Sequence, residues 1–221
     1  MSIFGGVFAG ILGSLIGFVG DWFIGIALLT VAIKVLLLPL SIKQQRGLLL
    51  TQNFSQAKTL LDKKFKNKPD KVNDALMKIM SRHKVNPLSS IMTMLVQLPV
   101  FFSLYFSISH LSTTVGSIVI PWALSMSKAD SLHILPVAAS AIQGLQGLFG
   151  PTAQQTRNII MLLLPIGLGL FFLWGAPAGL SVYWAFNAIF SLVEKKIFSL
   201  QAIRDRYLSV PSADEMVKSI A

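Results

Sequence analysis

The chain has 221 residues, 53% of them hydrophobic and 13% charged, with a formal net charge of +10 and no cysteine. So little polar surface argues against an ordinary soluble domain, and the missing thiols exclude disulfides, thiolate metal sites and a lipid-modified cysteine. Alternating ten-residue strands are absent, against a membrane barrel. The basic residues fall between apolar runs, where topology and anionic headgroups explain them before nucleic acid does.

The first twenty residues are apolar and dotted with glycine; Gly6, Gly10, Gly13 and Gly17 share one helical face. With no basic leader and no A-x-A site, a cleaved signal peptide is not expected. A helix lying in the membrane interface is the expectation for 1–20. The alternative is a sixth crossing helix that packs through its small face. A first long apolar run covers 22–42, interrupted by Pro39. The stretch 43–86 is crowded with lysine and arginine, and "KNKPD" (66–70) breaks it in two. Pro69 stops one helix and pre-sets the start of the next. Val72, Leu76, Ile79 and Met80 then recur at helical spacing, which predicts an antiparallel helical hairpin outside the membrane. Further apolar runs follow at 88–109, 132–149, 158–175 and 177–198, with Pro99, Pro136 and Pro165 inside them. Membrane helices tolerate such prolines because neighbours and water satisfy the freed carbonyls.

The expected fold is therefore an all-α integral membrane protein with five transmembrane helices and a cytoplasmic helical hairpin. Cytoplasmic loops collect Lys and Arg. The hairpin then faces in, as does the tail with Lys195, Lys196, Arg204 and Arg206. The loop 112–131 carries only Lys128 and Asp130, and "WGAPAG" (174–179) no charge, so both face out. The amino terminus is expected outside and the carboxyl terminus in the cytoplasm. Three regions result: an interfacial helix (1–20), a five-span core including the hairpin (21–200, hairpin 43–86) and a cytoplasmic tail (201–221).

Lys34 stands out. It lies about 13 Å along the helix axis from Lys43, and a lysine at a helix centre costs about 2.5–3.5 kcal/mol on insertion scales. Asp21 and Glu194 both lie near the ends of runs, so no acidic residue is expected to pair with it centrally. A snorkelling stem is one reading; a hydrated cavity inside the bundle is the stronger one. Thr30 lies one turn from Lys34, and Gln97, Gln143, Gln146 and Asn187 are polar residues within other spans. Each alone reads as an interhelical hydrogen bond. With an unpaired lysine they suggest a wet groove.

Catalytic signatures are wanting. His83, His110 and His133 are scattered, and no H-E-x-x-H, P-loop or G-x-S-x-G occurs. S-x-x-K appears three times, at Ser55, Ser81 and Ser125, without partner motifs. No enzyme, metal or cofactor is expected. A small-solute transporter would commonly show internal repeats, and none is found; a passive scaffold subunit is the remaining rival.

Taken together, "KVLLLPLSIKQ" (34–44), "KVNPLSSIMTMLVQLPVFFSLY" (84–105), "ILP" (134–136), "QQTRNIIMLLLP" (154–165) and "FFLWGAPAGLSVYWAFN" (171–187) resemble the YidC family of membrane protein insertases. The resemblance covers about residues 20–200 in order. It implies five core helices around a hydrophilic groove that opens to the cytoplasm and the lipid, in a bacterial cell membrane. Thr30 and Trp184 fall on groove-lining positions. Lys34 stands where the family usually has arginine, keeping the charge but losing the bidentate fork. The implied activity is insertion and chaperoning of nascent membrane proteins without nucleotide hydrolysis. Met77 and Met80 of the hairpin are candidate client contacts, and the ribosome and the Sec translocon are further candidate partners.

Overall fold

Apolar runs in lipid must satisfy their backbone internally, and this chain does so with helices. The computed structural model describes the backbone of residues 2–65, 68–86, 89–111, 115–146 and 159–220, with the side chains of all of these but 2–4, 89–97 and 159–162. Among the described residues the helices are α1 (Ser2–Val19), α2 (Trp22–Lys64), α3 (Pro69–His83), α4 (Ser89–His110), α5 (Ile134–Leu145), α6 (Ile159–Leu173), α7 (Ala178–Ser199), α8 (Gln201–Tyr207) and α9 (Ala213–Lys218). An isolated antiparallel bridge joins Ala129 and Pro177.

The expected apolar runs appear as α2, α4, α5, α6 and α7. By length and composition, α2 is the described helix long and apolar enough to cross a membrane; α1, α4, α5 and α6 contain shorter apolar stretches. The run at 132–149 and the run at 158–175 extend partly outside the described residues. α2 continues without a break to Lys64, so the first run and the first half of the basic stretch are one helix of 43 residues. Pro39 sits inside it, where it removes one backbone donor.

The chain divides into two units, Met1–Leu37 with Gln97–Ile197, and Leu38–Val96 with Phe198–Ala221. In the first, Leu12 and Ile16 of α1 join Trp22, Ile26 and Leu29 of α2, Leu104 and Ile108 of α4, and Leu180, Val182 and Tyr183 of α7 in one core. Most of the glycine row of α1 lies off its packing face: Gly6, Gly10 and Gly17 are exposed, and a Cβ there would meet nothing within 4 Å, whereas one on Gly13 would lie 3.6 Å from Leu111. Small residues matter elsewhere. A Cβ on Gly169 of α6 would lie 2.7 Å from Ser140 Oγ and 3.3 Å from its Cα, so α5 and α6 are in backbone-close contact there. A Cβ on Gly179 of α7 would lie 2.8 Å from Ile26 and 3.1 Å from Ile108. Close approach through small residues is how helices gain packing energy when lipid competes for apolar surface.

The amino-terminal ends of α2, α5 and α7 meet the loop 115–133. Trp22 N donates to Gly116 O at 3.3 Å, Ala178 N to Lys128 O at 2.7 Å and Gly179 N to Met126 O at 2.9 Å. Ser127 Oγ donates to Ile108 O at 2.7 Å, which ties in α4. Two buried aspartates anchor this end. Asp21 accepts from Phe23 N and Ile24 N, capping α2, and from Ser117 Oγ and Ile118 N, gathering the loop. Burial opposes its ionisation, but these four hydrogen bonds outweigh burial and hold its carboxyl below the usual value of 3.8. Asp130 accepts from Leu132 N and Leu135 N at the start of α5.

In the second unit, the second half of α2 supplies Ala57 and Leu61, α3 supplies Val72, Ala75 and Ile79, and α9 supplies Ala213 and Met216. Pro69 opens α3, and Lys84 ends it in the left-handed conformation, with its N–H on Met80 O. The carboxyl-terminal stretch is held by polar contacts as well. Asn53 Nδ2 donates to Pro211 O at 2.8 Å, Arg82 donates to Ser219 O, and His83 Nε2 lies 3.0 Å from Ser219 Oγ. Ser212 and Glu215 form a reciprocal capping box at the start of α9.

Candidate functional site

α2 and α7 both begin at the loop-bound end of the first unit. Lys34 lies twelve residues beyond Trp22 and Ser191 thirteen beyond Ala178, which puts them about 18 Å and 20 Å along their helices. The two side chains therefore meet: Lys34 Nζ donates to Ser191 Oγ at 3.2 Å. Ser191 Oγ donates in turn to Asn187 O at 2.9 Å, the ordinary way a helical serine satisfies its own hydroxyl.

Ser191 belongs to a stripe. Ser181, Trp184, Asn187, Ser191 and Glu194 recur at steps of three and four, which places them on one broad face of α7 over about 20 Å. Ser181 and Glu194 are buried, and Trp184, Asn187 and Ser191 are half-buried. Among the described residues, seven buried polar side-chain atoms have no hydrogen-bond partner. Four of them are on this stripe: Ser181 Oγ, Trp184 Nε1, Asn187 Oδ1 and Glu194 Oε1. An unpaired buried polar group costs about 1–3 kcal/mol. The face thus keeps hydrogen-bonding capacity that the described residues do not use. Trp184 is fixed edge-on to Phe101 of α4, with ring centroids 5.6 Å apart.

Glu194 stands on the same face of α7 as Ser191, the residue that Lys34 meets, and is 6% exposed. It lies one turn beyond Ser191, on the side that the helix presents to α2. Its neighbour Lys195 is engaged elsewhere, donating to Gln146 O at 2.9 Å.

A family model described as 60Kd inner membrane protein matches residues 14–205, most of the chain. The chain belongs to this family, that of the YidC insertases. It is 32% identical over 180 residues to the membrane protein insertase YidC of Burkholderia ambifaria, covering 81% of this chain and 32% of that one. It is 31% identical over 179 residues to the YidC of Geobacter sp. (80% and 33%) and 30% identical over 179 residues to that of Polynucleobacter necessarius (80% and 32%). The chain spans about a third of the length of these YidC proteins.

In this YidC-family chain the residues expected at the site are placed unevenly. Lys34 meets α7 at Ser191, on the face that also carries Trp184 and Asn187. Thr30 is buried one turn away, and its hydroxyl donates to Ile26 O at 2.7 Å, so its proton is spent within α2. Gln143 and Gln146 pair with each other at the end of α5, Gln146 Nε2 donating to Gln143 Oε1 at 3.0 Å. They reach α7 through the contact of Lys195 with the Gln146 carbonyl. The Gln97 side chain lies outside the described residues. Met77 and Met80 are on α3 in the second unit; Met77 is exposed and Met80 half-buried. Ser181, Ser191 and Glu194 are the additions, and the three-and-four spacing running through Trp184 and Asn187 was the signal for them.

Proposed function

We propose that this chain is a membrane protein insertase and chaperone that works through a positively charged hydrophilic groove without nucleotide hydrolysis. The observation that carries the proposal is the meeting of Lys34 with the under-satisfied polar face of α7, in a chain of the YidC family. The five apolar helices α2, α4, α5, α6 and α7 cross the bacterial cell membrane. The loop-bound end and the amino terminus face out; α3, α9 and the carboxyl terminus are cytoplasmic, and residues 1–20 lie in the outer interface.

A nascent client meets the basic helices first, where Met77 and the partly covered Met80 offer an adaptable apolar surface. Its short polar outer segment then enters beside α7. Lys34, Asn187, Trp184, Ser181 and the amides of Gln97, Gln143 and Gln146 replace part of that segment's hydration, lowering the barrier to crossing. The client's apolar segment leaves sideways into lipid, driven by burial of its surface at about 25 cal/mol per Å². The membrane potential assists acidic outer segments by about 2.3 kcal/mol per charge per 100 mV. Ribosomes and the Sec translocon are natural neighbours for such a step, though no contact with either is needed for the groove to act.

The test is reconstitution of the purified full chain in lipid vesicles with a small single-span client and no nucleotide. Protease-protected client well above that in protein-free vesicles is expected. Insertion no greater than in protein-free vesicles would refute the reading.

A further inference from the structure

We propose that Glu194 is a resident anion of the Lys34 site, which acidic groups of an entering client must displace, so that Glu194 sets how strongly the groove favours acidic over neutral outer segments. This deepens the insertase reading and rests on it.

Three observations support the role. First, Glu194 is 6% exposed, yet its Oε1 has no hydrogen-bond partner among the described residues. A buried carboxyl left partly unsatisfied is expensive unless an opposite charge compensates it. Second, that compensating charge is at hand. Ser191, one turn before Glu194 on the same face of α7, receives the Lys34 ammonium at 3.2 Å. Third, the nearest alternative cation on the same helix is occupied, because Lys195 Nζ is bonded to the carbonyl of Gln146. Lys34 is therefore bonded to a neutral hydroxyl that lies one helical turn from a buried carboxyl group.

The chemistry of the visiting group follows. A carboxylate of the client competes with Glu194 for the same ammonium. A neutral amide does not; it can occupy Asn187 Oδ1 or Trp184 Nε1 while leaving the internal pair in place. The internal acid thus lowers the effective affinity of Lys34 for client carboxylates. It also keeps the site from holding them after the crossing step, since Glu194 can reclaim Lys34 as the client leaves.

The experiment uses the full chain in vesicles and two clients that differ only in the outer segment, one with aspartates and one with asparagines. The readout is the ratio of acidic to neutral client inserted. Glu194→Gln should raise that ratio about threefold or more, the size expected when a partly screened charge contact stops competing. The rise should vanish in a Lys34→Ala background. A ratio that stays at the wild-type value, falls, or rises equally without Lys34 overturns the proposal. Thermal unfolding of the purified variant in detergent checks its fold. Should Glu194→Gln be poorly folded, Glu194→Asp replaces it: the shorter side chain should raise the ratio in the same direction, and no rise overturns the proposal. Failure of wild type to insert either client would refute the insertase reading itself, which separates the two failures.

Discussion

Met216→Ala separates the packing role of the carboxyl-terminal helix from that of a loose tail. Met216 is fully buried in the core that α9 shares with α2 and α3, beside Ala57, Leu61, Val72 and Ile79. Truncating a buried methionine to alanine costs about 2–5 kcal/mol, the loss of transfer energy plus the cavity left behind. α3 is short, with three buried residues of its own, so it has little packing to fall back on. If α9 opens together with α3, backbone amides of residues 72–79 should exchange with solvent deuterium about 30- to 1,000-fold faster in the variant, taking 1.4 kcal/mol per tenfold and 2–4 kcal/mol realised. The assay is hydrogen exchange of the purified full chain read by mass spectrometry. Met77→Ala is the internal control: Met77 is 67% exposed on the same helix, and its loss should change exchange by less than about 0.5 kcal/mol equivalent. Equal exchange of α3 in wild type and Met216→Ala would refute the reasoning, because it would mean that α9 carries no share of the core.

Three further outcomes are expected. Asp21→Ala removes the two hydrogen bonds that cap α2 and the two that gather the loop, and should lower stability in detergent by about 1–3 kcal/mol at pH 7. Because the folded carboxyl titrates below 3.8, its stabilisation is fully present above that value and is lost as pH falls through the lower, folded value. The melting-temperature gap between wild type and variant should therefore close in strongly acidic buffer, and a gap independent of pH would contradict the assignment. Gly169→Leu should drive α5 from α6, since even a Cβ would lie 2.7 Å from Ser140 Oγ, at a cost of about 1–3 kcal/mol measured by thermal unfolding. In the vesicle assay, Lys34→Arg should preserve insertion of an acidic client and Lys34→Ala should reduce it at least about tenfold, one 1.4 kcal/mol step; equal activity of all three would remove Lys34 from the mechanism.

Lys34 was legible in the sequence because an ammonium in the middle of a run as apolar as "TVAIKVLLLPL" is costly in lipid, and snorkelling from mid-span is the weaker reading of it. The start of α3 was legible because Pro69 can open a helix but not continue one. Glu194 was not. It stands in "VEKK" at the end of an apolar run, where a charge reads as an interfacial anchor. Only the register of α2 against α7 reveals that it turns inward. Thr30 shows the opposite limit: its position beside Lys34 was readable, but not that its hydroxyl is spent on Ile26 O. α9 was illegible because six residues cannot display a helical period, and Met216 gains its meaning only from α2 and α3. The continuity of α2 beyond Ile42 was not legible either, since polarity changes there while helix propensity does not; Gly47 alone does not stop a helix.

The central claim is that a fixed positive group sits in a hydrated groove inside the first unit. The chain has no cysteine, so a single cysteine can be placed without background. Cysteines substituted for Lys34 and for Leu36, a residue 79% exposed on the outer face of α2, should be compared in vesicles for their rate of reaction with a charged, membrane-impermeant thiol reagent. The account predicts that position 34 reacts readily and position 36, among acyl chains, far more slowly. Equal or inverted rates would mean that the interior is dry at Lys34, and the groove would not exist.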